Sequence, residues 1–209
     1  MNIEEQYKKE FNILTQHGGL VDGWVNVYNH CKTEGIVAII LSRLLNLSKE
    51  NSEILIKSAI LHDWYKKNEI ERAKKEGHKE YEESEHDSYN KLIELGYSKR
   101  IAEVAHSVGA FSLKEIIDST DFLKKLMHYI DDICLGDMIV EVDERIDHNE
   151  SQIKYNELNE SGRKVHGGKT FFEVQREVGN KIQTEIESQL HLEPKSLIAI
   201  IKQESHKIK

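Results

Sequence analysis

The sequence has a single proline, Pro194, and only two cysteines, Cys31 and Cys134, among its 209 residues. Scarce proline leaves long helices unbroken, and few stretches show the period-two alternation of half-buried strands. Two cysteines cannot build a disulfide scaffold, and neither belongs to a CxxC pair, so a structural zinc knuckle is not expected. No apolar run approaches the roughly 20 residues that a membrane-spanning helix needs. The opening MNIEEQYKKEFNIL is acidic and amphipathic, whereas a secretory signal is basic and then apolar. A reduced, cytoplasmic setting and no membrane are therefore the expectation. Positive charge is also short, with 29 Lys and Arg against 37 Asp and Glu, a formal net charge of -8. Broad binding to a nucleic-acid backbone rests on clustered Lys and Arg and is not expected. A small anionic substrate remains compatible, because a metal ion supplies positive charge locally.

What is present suits one compact domain. Hydrophobic residues make up 38% and charged residues 32%, enough for a core beneath a solvated surface. Helical periodicity predicts an all-α chain, with helices over about 2–16, 22–46, 51–68, 80–95, 98–109, 112–116, 120–146, 170–190 and 194–207. Gly18-Gly19 and Gly96 mark helix ends, while Asn51-Ser52-Glu53 and Ser98 mark helix starts. Residues 1–146 form the main helical domain. Residues 147–169, polar and weakly periodic, read as a loop leading to C-terminal helices that pack on the same domain. Nothing in the sequence fixes the oligomeric state.

Candidates for chemistry are ionisable residues on the apolar stripe of a helix, where an unpaired charge is costly. His62 shares a face with Leu55, Ser58, Ala59 and Tyr65, and Asp63 aligns with Ile56, Ala59 and Ile60. Two readings of this pair stand: a buried hydrogen-bonded His–Asp pair, or a pair of metal ligands. His30 aligns with Val27, Val37 and Leu41, as a core histidine or a third ligand. In LMHYIDDICLGDMIVEVDER, periodicity selects Asp131, which shares a face with Met127, Cys134 and Met138. Asp132 falls with His128, Leu135 and Gly136. His86 aligns with Tyr89 and Ile93, and His106 with Ala102, Ala105 and Val108; they read as half-exposed residues or as further ligands facing one cavity from neighbouring helices. His78, His128, His148, His166, His191 and His206 read as loop or solvent-facing. Lys66, one turn beyond His62, reads as a solvated lysine or as a contact for a phosphate oxygen. Arg145 reads as a structural ion-pair partner, and Arg163, Lys164 and Lys169 as solvated loop residues.

The order His30, His62-Asp63, Asp131 resembles the HD superfamily of metal-dependent phosphohydrolases, named for its His…His-Asp…Asp ligands. Lys66 matches the lysine of HDxxK. HYIDDICLGDMIVEVDERI resembles the family's late helix, ending in Glu144-Arg145, and EHDSYNKLIELGYSKRIAEVAH its middle section. The resemblance spans about 20–146. It implies an HD-type helical bundle with a C-terminal helical extension. It also implies one or two divalent transition-metal ions (Mn, Fe, Ni, Co or Zn) held by His30, His62, Asp63 and Asp131, joined by His86 and His106 in a binuclear form. Asp63 and Lys66 are the expected catalytic residues, and a nucleotide or other small phosphate ester the expected substrate. Two departures stand out. Trp64 and Tyr65 replace the small or aliphatic residues of HDIGK, and the GYP signature of cyclic di-nucleotide phosphodiesterases is absent. The same ligand types also fit an HD-type di-iron oxygenase, or a non-catalytic metal-binding regulatory module.

Overall fold

A computed structural model describes residues 2–20, 25–76, 81–108, 113–152 and 156–208. Among the described residues the chain is all-α apart from one hairpin of two-residue strands. Its helices are α1 (Ile3–Gln6), α2 (Lys8–Leu14), α3 (Val25–Leu44), α4 (Lys49–Leu61), α5 (Lys66–Glu76), α6 (Tyr81–Glu94) and α7 (Lys99–Ala105). Then come α8 (Leu113–Asp118), α9 (Phe122–Asp132), α10 (Val142–Glu150), α11 (Asn156–Val165), α12 (Phe171–Gln189) and α13 (Leu197–Ser205). A π-helical turn, Thr15–Gly19, follows α2, and a 3-10 turn, His106–Val108, follows α7. No described helix is long and apolar enough to cross a membrane.

The α3–α4 pair forms the centre, with α9 packed against both, α7 against α4, α12 against α9 and α13 against α3. One continuous cluster of buried apolar side chains runs from Ile3 to Ile208 and includes Leu41, Ile60, Tyr129, Phe172 and Ile201. The C-terminal helices therefore share the core of the central helices.

Several boundaries have local causes. Gly96, at φ +82°, closes α6, and the Ser98 side chain accepts from Ile101 N to open α7, as glycine ends and serine caps do. Thr170 and Glu173 form a reciprocal capping box at the start of α12. Helix α4 begins ahead of the expected Asn51 start, because Ser48 Oγ accepts from Asn51 N.

Several predicted spans divide differently, among them 2–16, which breaks at Tyr7 between α1 and α2. The span 51–68 breaks after Leu61, where Trp64 N donates to Leu61 O and Lys66 N to Asp63 O. These i→i+3 bonds tighten the chain into a turn carrying His62 and Asp63. The span 120–146 breaks at a hairpin in which Cys134 pairs with Ile139 and Leu135 with Met138. Gly136, at φ +60°, takes the first central position of its turn, where a two-residue hairpin favours glycine. The span 147–169 carries the end of α10 and all of α11.

Helix α9, which bears Asp131, is anchored at its start. Asp121 caps it through Lys124 N at 3.3 Å and takes two bonds of 2.6 Å from Arg100 on α7. The Arg100 hydrogen bonds hold the Asp121 carboxyl below its ordinary pKa, outweighing partial burial. Removing the cap and this partly exposed pair by Asp121→Ala should cost about 1–2 kcal/mol at pH 7. A depressed folded pKa gives stability that is full above the ordinary aspartate value and lost as pH falls through the folded one. Urea titrations should therefore show the gap between the two proteins closing as pH falls below the ordinary aspartate range.

Candidate metal centre

Four side chains from three helical segments converge: His30 and Glu34 of α3, His62 just after α4, and Asp131 of α9. Each offers one ligand atom, and these atoms all lie within 4.8 Å of one another. Opposite ligands at bond lengths near 2.1 Å stand roughly 4.2 Å apart, so four donors this close fit around a single ion.

His30 and Glu34 are four residues apart on α3 and so share a face. His30 Nε2 lies 3.0 Å from Glu34 Oε1 and 3.1 Å from Asp131 Oδ1. His62 Nδ1 lies 2.8 Å from Glu34 Oε2 and 3.0 Å from the Ala59 carbonyl oxygen. With the Nδ1 hydrogen directed at Ala59 O, Nε2 keeps its lone pair; it is buried and has no hydrogen-bond partner. Metal-binding histidines have this arrangement, one ring nitrogen donating to a carbonyl and the other left for the ion.

Glu34 is fully buried, and neither of its oxygens makes a hydrogen bond of acceptable geometry. A buried carboxylate in that state is costly unless a cation faces it. The donor set of two imidazoles and two carboxylates fits a divalent transition metal, and the orphaned oxygens and Nε2 supply the free lone pairs.

The charges are strongly coupled. Burial disfavours a protonated His30, but Glu34 and Asp131 outweigh it and raise its pKa. Burial acts likewise on His62, and Glu34 with Asp63 carries its pKa well above the ordinary imidazole value. Burial would raise the Asp131 carboxyl, yet His30 and Arg145 hold it well below the usual range. Arg145 Nη2 donates to Asp131 Oδ1 at 3.2 Å, the structural ion pair expected for this arginine.

The other predicted residues divide. Asp63 lies beside the group, with Oδ2 3.6 Å from His62 Nε2, and is ion-paired with Lys66. Burial works to raise its pKa, but Lys66, His62 and His30 bring it down to about 2. The Lys66 side chain is 46% exposed. His106 sits half-buried on the 3-10 turn with its ring 6.1 Å from that of Tyr89, outside the four-residue group. The His86 side chain and His78 lie outside the described residues. His128, expected at the surface, is buried. Its Nε2 stands 3.4 Å from Asp132 Oδ2, because α12 covers the face of α9 that periodicity assigned to solvent.

Asp132, on that covered face, is fully buried and accepts from Gln175 Nε2 of α12 at 2.6 Å. Burial is the main cause that raises its pKa to about 6. Glu34 is the residue that sequence reasoning missed. Its signal was present: an acidic residue one turn after His30, directly ahead of the apolar run GIVAII.

Both cysteines are buried free thiols. Burial is the first cause raising their pKa values, for Cys31 against His62 and for Cys134 near Glu34 and Asp131. A cleft of about 480 Å³ lined by Tyr7, Arg43, Lys49 and Glu53 includes none of the four donors.

Close approach of α3 and α4 brings Glu34 against His62, and Gly35 permits it. A Cβ on Gly35 would stand 2.8 Å from Ile60 Cγ1 and 2.9 Å from Ile3 Cδ1. Glycine to alanine in an open helix position gains about 1 kcal/mol. Here Gly35→Ala should instead lose about 1–3 kcal/mol through overpacking, measured by denaturant unfolding. A stabilised variant would mean that the two helices have room to spare.

No protein-family model matches the chain, and no curated protein or solved structure matches it either.

Proposed function

We propose that this chain is an HD-type metal-dependent phosphohydrolase acting on a nucleotide or other small phosphate ester. The observation that carries the reading is the meeting of His30, His62 and Asp131 in one buried cluster with Asp63 beside it. These are the residues, in the order, on which the HD resemblance rests. Their sequence separation, 101 residues between His30 and Asp131, makes a local helical motif an insufficient explanation.

His30, His62 and Asp131 would hold the ion, with Asp63 beside them as the further ligand that the HD resemblance implies. When bound, a divalent ion of this kind lowers the pKa of water from 15.7 toward about 7, supplying a nucleophile for attack on phosphorus. The remaining roles fall to the chain. Asp63, with its low pKa, stays ionised near neutral pH and accepts a hydrogen bond from the attacking water. Lys66, exposed and next to Asp63, offers its ammonium to a phosphate oxygen. Arg145 fixes the Asp131 carboxylate from behind and takes no part in substrate contact.

Wild type and Asp63→Ala should be compared by metal analysis and by a phosphatase and phosphodiesterase screen with manganese, nickel and cobalt. Loss of hydrolysis by at least about 100-fold in the variant is expected. Metal at 100 times its dissociation constant should raise the wild-type Tm by roughly 5–10 °C. Unchanged hydrolysis in Asp63→Ala removes that residue from the mechanism. Stoichiometric iron with substrate-dependent oxygen consumption and no hydrolysis would replace the reading with an oxygenase. Metal binding without turnover across the panel would replace it with a regulatory module.

A further inference from the structure

We propose that Glu34 is itself a metal ligand, added to the His…His-Asp…Asp set, and that it biases the centre toward manganese(II) or iron(II) relative to zinc. The proposal rests on the metal-centre reading above, but not on the hydrolysis of any particular substrate.

Apart from its two histidines and the longer-range charge of Arg145, Glu34 has no partner that accounts for a buried carboxylate among the described residues. No lysine or arginine pairs with it among the described residues, and it caps no helix. Both oxygens lack a hydrogen bond of acceptable geometry, and its side chain is 0% exposed. Each oxygen instead faces a different imidazole, Oε1 toward His30 at 3.0 Å and Oε2 toward His62 at 2.8 Å. A carboxylate held between the imidazoles of two candidate ligands, with neither oxygen in a hydrogen bond of acceptable geometry, is placed to coordinate.

Its addition changes the donor count. Two imidazoles and the carboxylates of Glu34 and Asp131 already make four donors, and Asp63 stands beside them. Structural zinc closes at four ligands in a tetrahedron. Manganese and iron(II) accept five or six and favour oxygen-rich surroundings. Thiolate would favour zinc, and neither Cys31 nor Cys134 belongs to the four-donor group. An extra anionic oxygen therefore helps the harder, higher-coordinate ion more than it helps zinc. Zinc remains an intrinsically strong binder at any such site, so the prediction concerns the ratio of affinities.

The test is competitive titration of the full-length, metal-stripped protein with manganese(II) and zinc, for wild type, Glu34→Gln and Glu34→Asp, with circular dichroism as the folding control. Manganese electron paramagnetic resonance reports the ion's ligand field. Glu34→Gln should lose at least about tenfold in manganese affinity, with a smaller loss for zinc and an altered manganese spectrum. Glu34→Asp, which keeps the charge on a shorter arm, should recover part of the manganese affinity. Folded Glu34→Gln with wild-type manganese affinity and spectrum overturns the proposal, even if phosphate esters are hydrolysed. Equal losses for both metals overturn the claimed bias. If Glu34→Gln fails to fold, Glu34→Asp decides: an unchanged manganese-to-zinc ratio and spectrum there sinks the proposal. Wild type that binds metal but turns over no phosphate ester leaves it standing while the hydrolase reading fails. Wild type that takes up no metal defeats both.

Discussion

A fully desolvated carboxylate at the meeting point of α3, α4 and α9 sets the terms for the centre of this molecule. Removing an ion from water costs several kcal/mol even after relaxation, and Glu34 recovers none of that from hydrogen bonds. The surrounding chemistry is arranged to meet that cost. Two imidazoles face its oxygens, and their pKa values are raised so that protons carry the balancing charge when no cation does. Gly35 gives up its side chain so that the helix behind can come close.

Polar support extends outward from that point in a definite direction. Arg145 of α10 holds Asp131, and Gln175 of α12 holds Asp132. Tyr129 of α9 donates to Gln183 Oε1, whose amide in turn donates to Glu187. Glu187 then accepts from Leu197 N at the start of α13. These contacts turn α9 into a strut between the donor cluster and the C-terminal helices. Satisfied networks of this kind rigidify, whereas half-satisfied ones are costly. His128, with both ring nitrogens lacking hydrogen-bond partners, is the place where this network is least complete.

Much of this was legible in the sequence because helical period and burial coincide on α3 and α4. His30 and His62 sit on stripes so apolar that an inward orientation was the only economical one. Asp131 was separable from Asp132 by the same rule, and it does reach His30. The rule then failed next door. It treats a helix as having one buried face, and α9 has two, one toward the donor cluster and one toward α12. That is why His128 and Asp132, assigned to the outer side, lie inside. Glu34 escaped notice for a different reason. Glutamate is so commonly solvated that its position one turn after His30 carried no weight until both oxygens were seen among imidazoles. The turn at residues 62–65 and the Gly136 hairpin depend on i→i+3 bonds and one positive φ. Periodicity does not register either.

Gly179 faces the carboxylate of Asp132 so closely that a Cβ there would stand 2.8 Å from Oδ2. The helix that seals the back of the donor cluster is thus fitted to it from a point 145 residues after Glu34 in the chain. During synthesis, a ribosome that has released only α1 to α10 has delivered every donor residue but not this seal. Water still has access to the rear of α9 at that stage, and buried charges there are weakly constrained. Closure of the rear of α9 therefore depends on contacts of high sequence separation, the kind that forms slowly.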